Sequence, residues 1–330
     1  MADKKLEDTI SIGDADNYEL IRRLGSGRYG EVFEAKHVAN NKRYAIKVLK
    51  PVRPEKVLRE VDVLRRLQSG PNIITLKDVI VNDGTPALVF PFVSNETLKT
   101  VAMDLTEQEI PLYLYKLLRA IDFCHKNEVI HRDIKPSNVM IDRTMKTLRL
   151  IDWGLADTYT DGRIYPVTVA SRFYKPPELL LGFSKYDYSL DMWSFGCVAA
   201  GLLFKREPFF NGLDNSDQLK KIVCVLGTDC LKEYVQKYRE SGKCSWYGPG
   251  FDGKRTACGQ IFHQYEMTAA HKTLKCGTKV RVNANGRSVV VTVNDRGPFV
   301  AGRILDLSKG AAEKLGIISA GVAACTVTPI

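Results

Sequence analysis

The sequence predicts an α+β chain in two parts: a large domain in which strands come first and helices follow, and a small all-β domain at the C-terminus. Three observations predict it. The chain has 330 residues, more than one core usually holds, so two domains are the default. Strand-like apolar runs dominate up to residue 93, and helical spacing dominates between residues 112 and 226, the order of an α+β fold. Beyond residue 240 short strand-like runs return, with a single helical stretch among them.

Composition bounds the class. With 45% hydrophobic and 26% charged residues, the chain is globular and able to bury a core. It has no apolar run long enough for a membrane span, and its N-terminus has no signal-peptide core. Cytoplasm or nucleus is therefore the expected location. The net charge of +10 is uneven, with 36 basic and 33 acidic residues up to residue 240 but 12 and 5 after it. A solvated basic face on the second domain is expected rather than specific nucleic-acid binding. Cys124, Cys197, Cys224 and Cys230 sit in apolar or helical contexts and read as buried thiols. Cys244, Cys258, Cys276 and Cys325 crowd the last ninety residues. Four cysteines so placed suggest two disulfides, which keeps an extracellular location open.

In chain order, Tyr18-Glu-Leu-Ile-Arg reads as a strand leading into Leu24, Gly25, Ser26, Gly27, Arg28, Tyr29, Gly30 and, past Glu31, Val32. Glycines at this spacing let a hairpin lie close over phosphates. A helix after the third glycine would favour a dinucleotide fold, but a second strand, Val32-Phe-Glu-Ala, follows. Tyr44-Ala-Ile-Lys47 is a third strand. Val57, Val61, Leu64 and Leu67 recur at helical spacing across Lys56–Gln68, which carries Glu60. Ala87–Val93 is a buried strand containing Phe90, and Leu112–His125 is an amphipathic helix. It delivers the chain to His131-Arg-Asp-Ile-Lys-Pro-Ser-Asn138, and Leu148–Ile151 leads to Asp152-Trp-Gly154. These loop residues are an inventory for moving a phosphoryl group. Asp133 can accept the proton of an attacking hydroxyl, Lys135 can neutralise charge on the migrating group, and Asn138 with Asp152 can hold Mg²⁺ through hard oxygens.

In this order the motifs resemble those of protein kinases of the serine/threonine kind. The resemblance implies a bilobal fold, with Lys47 on the ATP phosphates and paired to Glu60, the glycine loop over the nucleotide, and Phe90 and Val93 beside the adenine. Asp152-Trp-Gly154, Gly70-Pro-Asn-Ile-Ile-Thr75, Tyr186-Asp-Tyr-Ser-Leu-Asp-Met-Trp-Ser194 and Lys205-Arg-Glu-Pro-Phe-Phe210 are similar to the casein kinase II catalytic subunits, over residues 18–239. That likeness implies constitutive activity, acidic Ser/Thr protein substrates, GTP use beside ATP, and a regulatory (beta) subunit docked through Leu20, Phe33 and Val89. Two departures weaken the expected acidic preference. The basic stretch before Glu60 is thinned to Arg53-Pro-Glu-Lys56, and Thr168 stands where an arginine is usual. Arg172 and Lys175 remain as substrate anchors. The kinase likeness stops near residue 240, which implies a truncated C-lobe in which Glu178 loses its usual arginine partner. Residues 1–17 form a short N-terminal arm, 18–240 the kinase domain and 241–330 the second domain.

In residues 241–330, strands are expected at Cys244–Tyr247, Lys279–Val282, Arg287–Val293 and Val322–Val327. A helix capped by Ser308 and ended by Gly316 is expected between the last two. Ser245-Trp-Tyr-Gly-Pro-Gly250, Thr268-Ala-Ala-His271, Asn294-Asp-Arg-Gly-Pro-Phe299 and Asp306-Leu-Ser308 resemble the double-psi β-barrel of rare lipoprotein A and expansin-like proteins. The resemblance implies a glycan site at Trp246, Tyr247, His271 and Asp295. Gln260 and His263 replace acidic residues of the bacterial enzymes, so one carboxylate is left and binding is expected rather than cleavage. Cys258 with Cys276 and Cys244 with Cys325 are candidate disulfides, the connectivity open. Two functions follow: a protein kinase with an appended barrel, or a glycan-binding barrel whose kinase segment is inert or joined by accident.

Overall fold

A computed structural model of the chain describes residues 12–27, 30–93, 96–227 and 240–329. Arg28, Tyr29, Cys230 and most of the N-terminal arm lie outside the described residues. The chain divides into two compact units that do not follow the sequence boundary at residue 240: residues 1–163, 169–175 and 187–211 form one, and residues 164–168, 176–186 and 212–330 form the other.

The first unit begins with a five-stranded antiparallel sheet in the order β1-β2-β3-β5-β4. Its strands are β1 (Tyr18–Ser26), β2 (Gly30–His37), β3 (Arg43–Leu49), β4 (Asp78–Asn82) and β5 (Thr85–Pro91). The register pairs Val32 with Lys47 and Lys47 with Leu88. Helix α1 (Pro54–Arg66) starts on a proline, whose fixed φ suits the first turn. It buries Val57, Val61 and Leu64 together with Glu60, which lies three and four residues from its apolar neighbours and so shares their face. Val89 is fully buried in a cluster with Ala35, Ile46, Ile80 and Ala87. It therefore cannot belong to the docking surface expected for it, whereas Leu20 is exposed.

The helical part of this unit holds β6 (Glu96–Thr97), α2 (Leu98–Val101), α3 (Glu109–Lys126), β7 (Val129–Ile130), β8 (Val139–Asp142), β9 (Thr147–Leu150) and β10 (Asp157–Thr158). Helix α3 buries Ile110, Tyr113, Leu117, Ala120, Ile121 and Cys124, the stripe that period 3.6 demands. Beyond the second unit's α4 (Pro177–Leu180), the first unit closes with α5 (Ser189–Leu203). Helix α6 (Asn215–Leu226) is the last described helix before the barrel, and its Cys224 is exposed rather than buried. Among the described residues no helix is long and apolar enough to cross a membrane.

The second unit is built on a closed barrel, β11-β15-β12-β14-β13-β16. Its strands are β11 (Glu240–Trp246), β12 (Thr268–His271), β13 (Lys279–Ala284), β14 (Arg287–Asp295), β15 (Arg303–Leu307) and β16 (Val322–Pro329). The pairs β11/β15 and β12/β14 are parallel and the rest antiparallel. This is the expected double-psi barrel. Alternation sends Val280, Val282 and Ala284 of β13 and Val289, Val291 and Val293 of β14 into the core. Helix α7 (Lys309–Leu315) is capped by Ser308 Oγ, which accepts from Ala311 N at 3.3 Å, and it ends on Gly316 at φ 67°. That left-handed turn is why a glycine stands there. Leu181 and Phe183, just after α4, and Leu219 of α6 pack into the same apolar cluster as the barrel strands. Glu178 is buried at 2% exposure and is not without a partner.

Both disulfides form, Cys244–Cys325 and Cys258–Cys276, with Cα separations of 5.8 and 5.9 Å. The second closes a loop with a sequence separation of 18, worth about 3 kcal/mol on the loop-entropy account. A Cys258→Ser/Cys276→Ser chain should accordingly show a lower denaturant midpoint, with a slope no smaller than the parent's because the uncrosslinked unfolded chain exposes more surface. An unchanged midpoint would mean that the loop is already ordered in the unfolded chain.

Candidate active site

The site grows from the loop between β7 and β8. Asp191, fully buried in the first turn of α5, accepts from the backbone N–H groups of His131 and Arg132, each at 2.8 Å. Arg132 is held at φ 65°, a left-handed conformation that costs energy unless the surroundings fix it. Those two bonds supply that constraint. The Arg132 side chain is also buried, donating to Leu155 O at 2.7 Å and to Asp157 Oδ2 at 3.0 Å. Arg59 Nη1 lies 3.8 Å from the same carboxylate oxygen.

Asp133 follows, and both its oxygens are engaged. Oδ1 accepts from Ser171 N at 3.1 Å and Ser171 Oγ at 2.9 Å, and Oδ2 accepts from Lys135 Nζ at 2.7 Å and Asn138 Nδ2 at 3.0 Å. Lys135 Nζ also reaches Ser171 Oγ at 3.0 Å. The structure thus joins Asp133, Lys135 and Asn138 as expected. It adds Ser171, which sequence reasoning misses inside the Ala170-Ser-Arg172 run because a lone loop serine has no pattern to mark it.

Lys47 binds Glu60 Oε1 at 2.8 Å and Asp152 Oδ1 at 2.9 Å. Burial alone would favour its neutral amine, but the two carboxylates outweigh burial and hold its ammonium above the ordinary lysine range. Burial likewise opposes the charge on Asp152, and Lys47 overrides it, leaving that carboxyl below its usual value. Asp152 sits at φ 62°. Burial lowers the neighbouring His131, whose Nε2 bonds Ile151 O at 3.1 Å. Asn138 commits its Nδ2 to Asp133, and neither its Oδ1 nor Asp152 Oδ2 receives a hydrogen bond from a described residue. Two hard oxygens from residues lining one cleft, free of donors among the described residues, fit a divalent cation. No group of three or more His, Cys, Asp or Glu side chains suited to a metal occurs among the described residues.

These groups open onto a cleft of about 480 Å³ within the first unit. Leu24, Gly25, Ser26, Gly27, Gly30, Val32, Lys47, Glu60, Phe90, Val93, Asn138 and Asp152 line it, which covers every described nucleotide and metal residue expected from the sequence. Ala45, Ile74, Phe92, Thr97, Met140 and Ile151 line it as well. The apolar members of that set carry no mark in the sequence, since a strand residue facing a cleft and one facing a core share the same alternation. Gly30 is required by close approach: a Cβ there would meet Val48 O at 2.3 Å. Of the two substrate anchors, Arg172 is exposed, while Lys175 turns its Nζ to Val169 O at 2.7 Å.

The family model described as a protein kinase domain matches residues 18–245. This chain belongs to the protein kinase family. As a protein kinase it is a transferase that uses ATP and a divalent metal. A second family model, described as lytic transglycolase, matches residues 239–327 of the kinase, the double-psi barrel.

In that barrel, Tyr247 donates its hydroxyl to Asp295 Oδ2 at 3.0 Å, and Asp295 Oδ1 accepts from Ala257 N at 2.8 Å. Burial and the charge of Asp295 push the Tyr247 phenol up, and Asp306 adds to the effect, so a second carboxylate acts at this point where the sequence promised one. Phe251 and Phe262 pack on Tyr247, at ring separations of 5.3 and 5.1 Å. Two expected members stand apart. Trp246 is half-buried against the barrel core. His271 is 2% exposed, with Nδ1 accepting from Thr273 N and Leu274 N and Nε2 bonded to Glu240 Oε2 at 3.2 Å. Both of its ring nitrogens are already occupied.

Proposed function

We propose that this kinase is a serine/threonine kinase of the casein kinase II type, passing the γ-phosphoryl of ATP, and of GTP, to hydroxyls in acidic sequence contexts. The observation that carries the reading is the join of Asp133, Lys135, Asn138 and Ser171 in one hydrogen-bonded set, with Asn138 lining the same cleft as Lys47, Glu60 and Asp152. Asp133 takes the proton of the attacking hydroxyl. Lys135 neutralises charge on the migrating group. Lys47, kept charged and aimed by Glu60, holds the phosphates under the glycine loop, and Phe90 and Val93 flank the base. Asn138 and Asp152 would hold Mg²⁺, which would supply charge neutralisation on the phosphates. Leu20 and Phe33 remain candidates for docking a regulatory subunit. The test is transfer from Mg·ATP to an acidic serine peptide by the whole chain beside Asp133→Asn. Equal, negligible transfer by both would overturn the assignment.

The acidic preference should be modest. Arg172 is exposed, where an ion pair is worth under about 1 kcal/mol, and the Lys175 ammonium is spent on a backbone carbonyl. An Asp/Glu run after the target serine should raise kcat/KM by about tenfold or less. A requirement of a thousandfold or more, on the order of 4 kcal/mol, would contradict this reading of the anchors.

For the barrel we propose glycan binding, carried by Tyr247 and Asp295 beside the exposed ring of Phe251. Insoluble peptidoglycan should retain the whole chain and release Tyr247→Ala, while a surface control, Lys314→Ala on α7, stays bound. Retention of Tyr247→Ala would remove the site from this face.

A further inference from the structure

Two exposed aromatic rings of the barrel unit each carry a lysine ammonium. Phe251 is 50% exposed with Lys254 Nζ 5.2 Å from its ring centre, and Tyr265 is 61% exposed with Lys309 Nζ at the same separation. Lys309 Nζ also donates to Tyr265 Oη at 3.3 Å. At these separations a cation is drawn to the ring. Among the described residues neither ammonium is paired with a carboxylate. Asp252, next to Phe251 in the chain, is engaged by Gln264, whose N and Nε2 donate to its two oxygens at 2.9 and 3.3 Å.

Both pairs connect to the Tyr247–Asp295 group. Phe251 packs on Tyr247 at a ring separation of 5.3 Å, and Tyr247 Oη reaches Asp295. The Asp252–Gln264 bonds tie the chain beside Phe251 to the chain beside Tyr265, and Gly310 N, one residue past Lys309, donates to Gln264 O at 2.9 Å. One connected set of loops within the barrel unit thus carries a carboxylate with a phenol, then a ring with an ammonium, then a second ring with an ammonium. A single exposed ring is ordinary, but rings grouped beside polar groups mark a contact surface.

We propose that the barrel's ligand is an acidic polysaccharide, with Lys254 and Lys309 binding its carboxylates and the rings of Phe251 and Tyr265 taking the apolar faces of its sugars. The proposal rests on the glycan reading of Tyr247 and Asp295, and adds the charge of the ligand. Each part of the chemistry selects the class. The C–H face of a sugar ring is well buried on an aromatic face, and an unpaired ammonium beside it meets a carboxylate on the same polymer. The 12 basic and 5 acidic residues after residue 240 draw a polyanion from a distance. Asp295 and Asp306 disfavour a nucleic acid, because their charge opposes phosphates, whereas sugar hydroxyls donate to a carboxylate.

The test uses the full chain and two polymers of one backbone, polygalacturonate and its methyl ester, with single-stranded poly(dT) as a third probe. An exposed ion pair is worth up to about fivefold in affinity, so the parent should bind the polyacid about tenfold more tightly than the ester through its two lysines. Lys254→Gln/Lys309→Gln should lose that preference and keep the parent's affinity for the ester, which shows that the barrel is folded. Lys254→Arg/Lys309→Arg should keep the preference. Lys314→Gln, which removes a charge from the last turn of α7, should leave it unchanged, and added salt should weaken the polyacid complex far more than the ester complex. Equal affinity of the parent for acid and ester would overturn the proposal, as would binding to neither, tighter binding to poly(dT), or an equal loss in Lys314→Gln. The glycan reading is decided separately by Tyr247→Ala on peptidoglycan: Tyr247-dependent retention there without any acid preference would remove the acidic ligand and leave the glycan site.

Discussion

Asp133→Asn should bind Mg·ATP like the parent chain and transfer its phosphoryl group about 10²- to 10⁴-fold more slowly. The substitution preserves shape, so the loss isolates the carboxylate's capacity to take a proton. Geometry adds a second effect. Asp133 receives four donors, two on each oxygen, and an amide offers only one accepting atom. Whichever way the substituted amide turned, its NH₂ would face either Lys135 and Asn138 or the backbone of Ser171. One such conflict costs about 1–3 kcal/mol, so the melting temperature should fall as well. Single-turnover rates beside nucleotide titration separate the two effects. A rate within tenfold of the parent, roughly 1.4 kcal/mol, would deny Asp133 its role.

Lys47→Met should lose both nucleotide affinity and stability. Glu60 is 5% exposed, and Lys47 is the cation bonded to it at 2.8 Å. Breaking a buried pair by removing one partner costs about 3–5 kcal/mol, because the surviving charge is stranded in a poor solvent. Adding Glu60→Gln should recover part of that stability by removing the stranded charge, while transfer stays lost because no cation reaches the phosphates. Thermal melts and transfer assays on the single and double variants check both halves. If the double variant were no more stable than Lys47→Met, the cost would lie in packing rather than charge.

What is legible in the sequence is what chemistry spaces regularly. The glycine loop followed by a strand, the lysine on β3, the glutamate on the apolar face of α1 and the loop running to Asn138 each carry a local signature, and the cleft gathers all of those that are described. The cap and stop of α7 are legible for the same reason, since Ser308 and Gly316 act within one turn of their helix. Illegible features depend on distant chain. Ser171 gains meaning only when the fold brings it within 2.9 Å of Asp133, thirty-eight residues away. Strands β12 and β15 are too short for alternation to register, and β12 reads as a motif alone. Val89 reads as a surface residue by analogy, but Ala35, Ile46 and Ile80 enclose it. His271 reads as a member of the glycan site by resemblance, but two backbone amides and Glu240 already occupy its ring.

The two family matches meet near residue 240, yet the backbone passes between the compact units five times before its end. Heredity and solidity therefore draw their borders in different places. No single proteolytic cut can release either body whole.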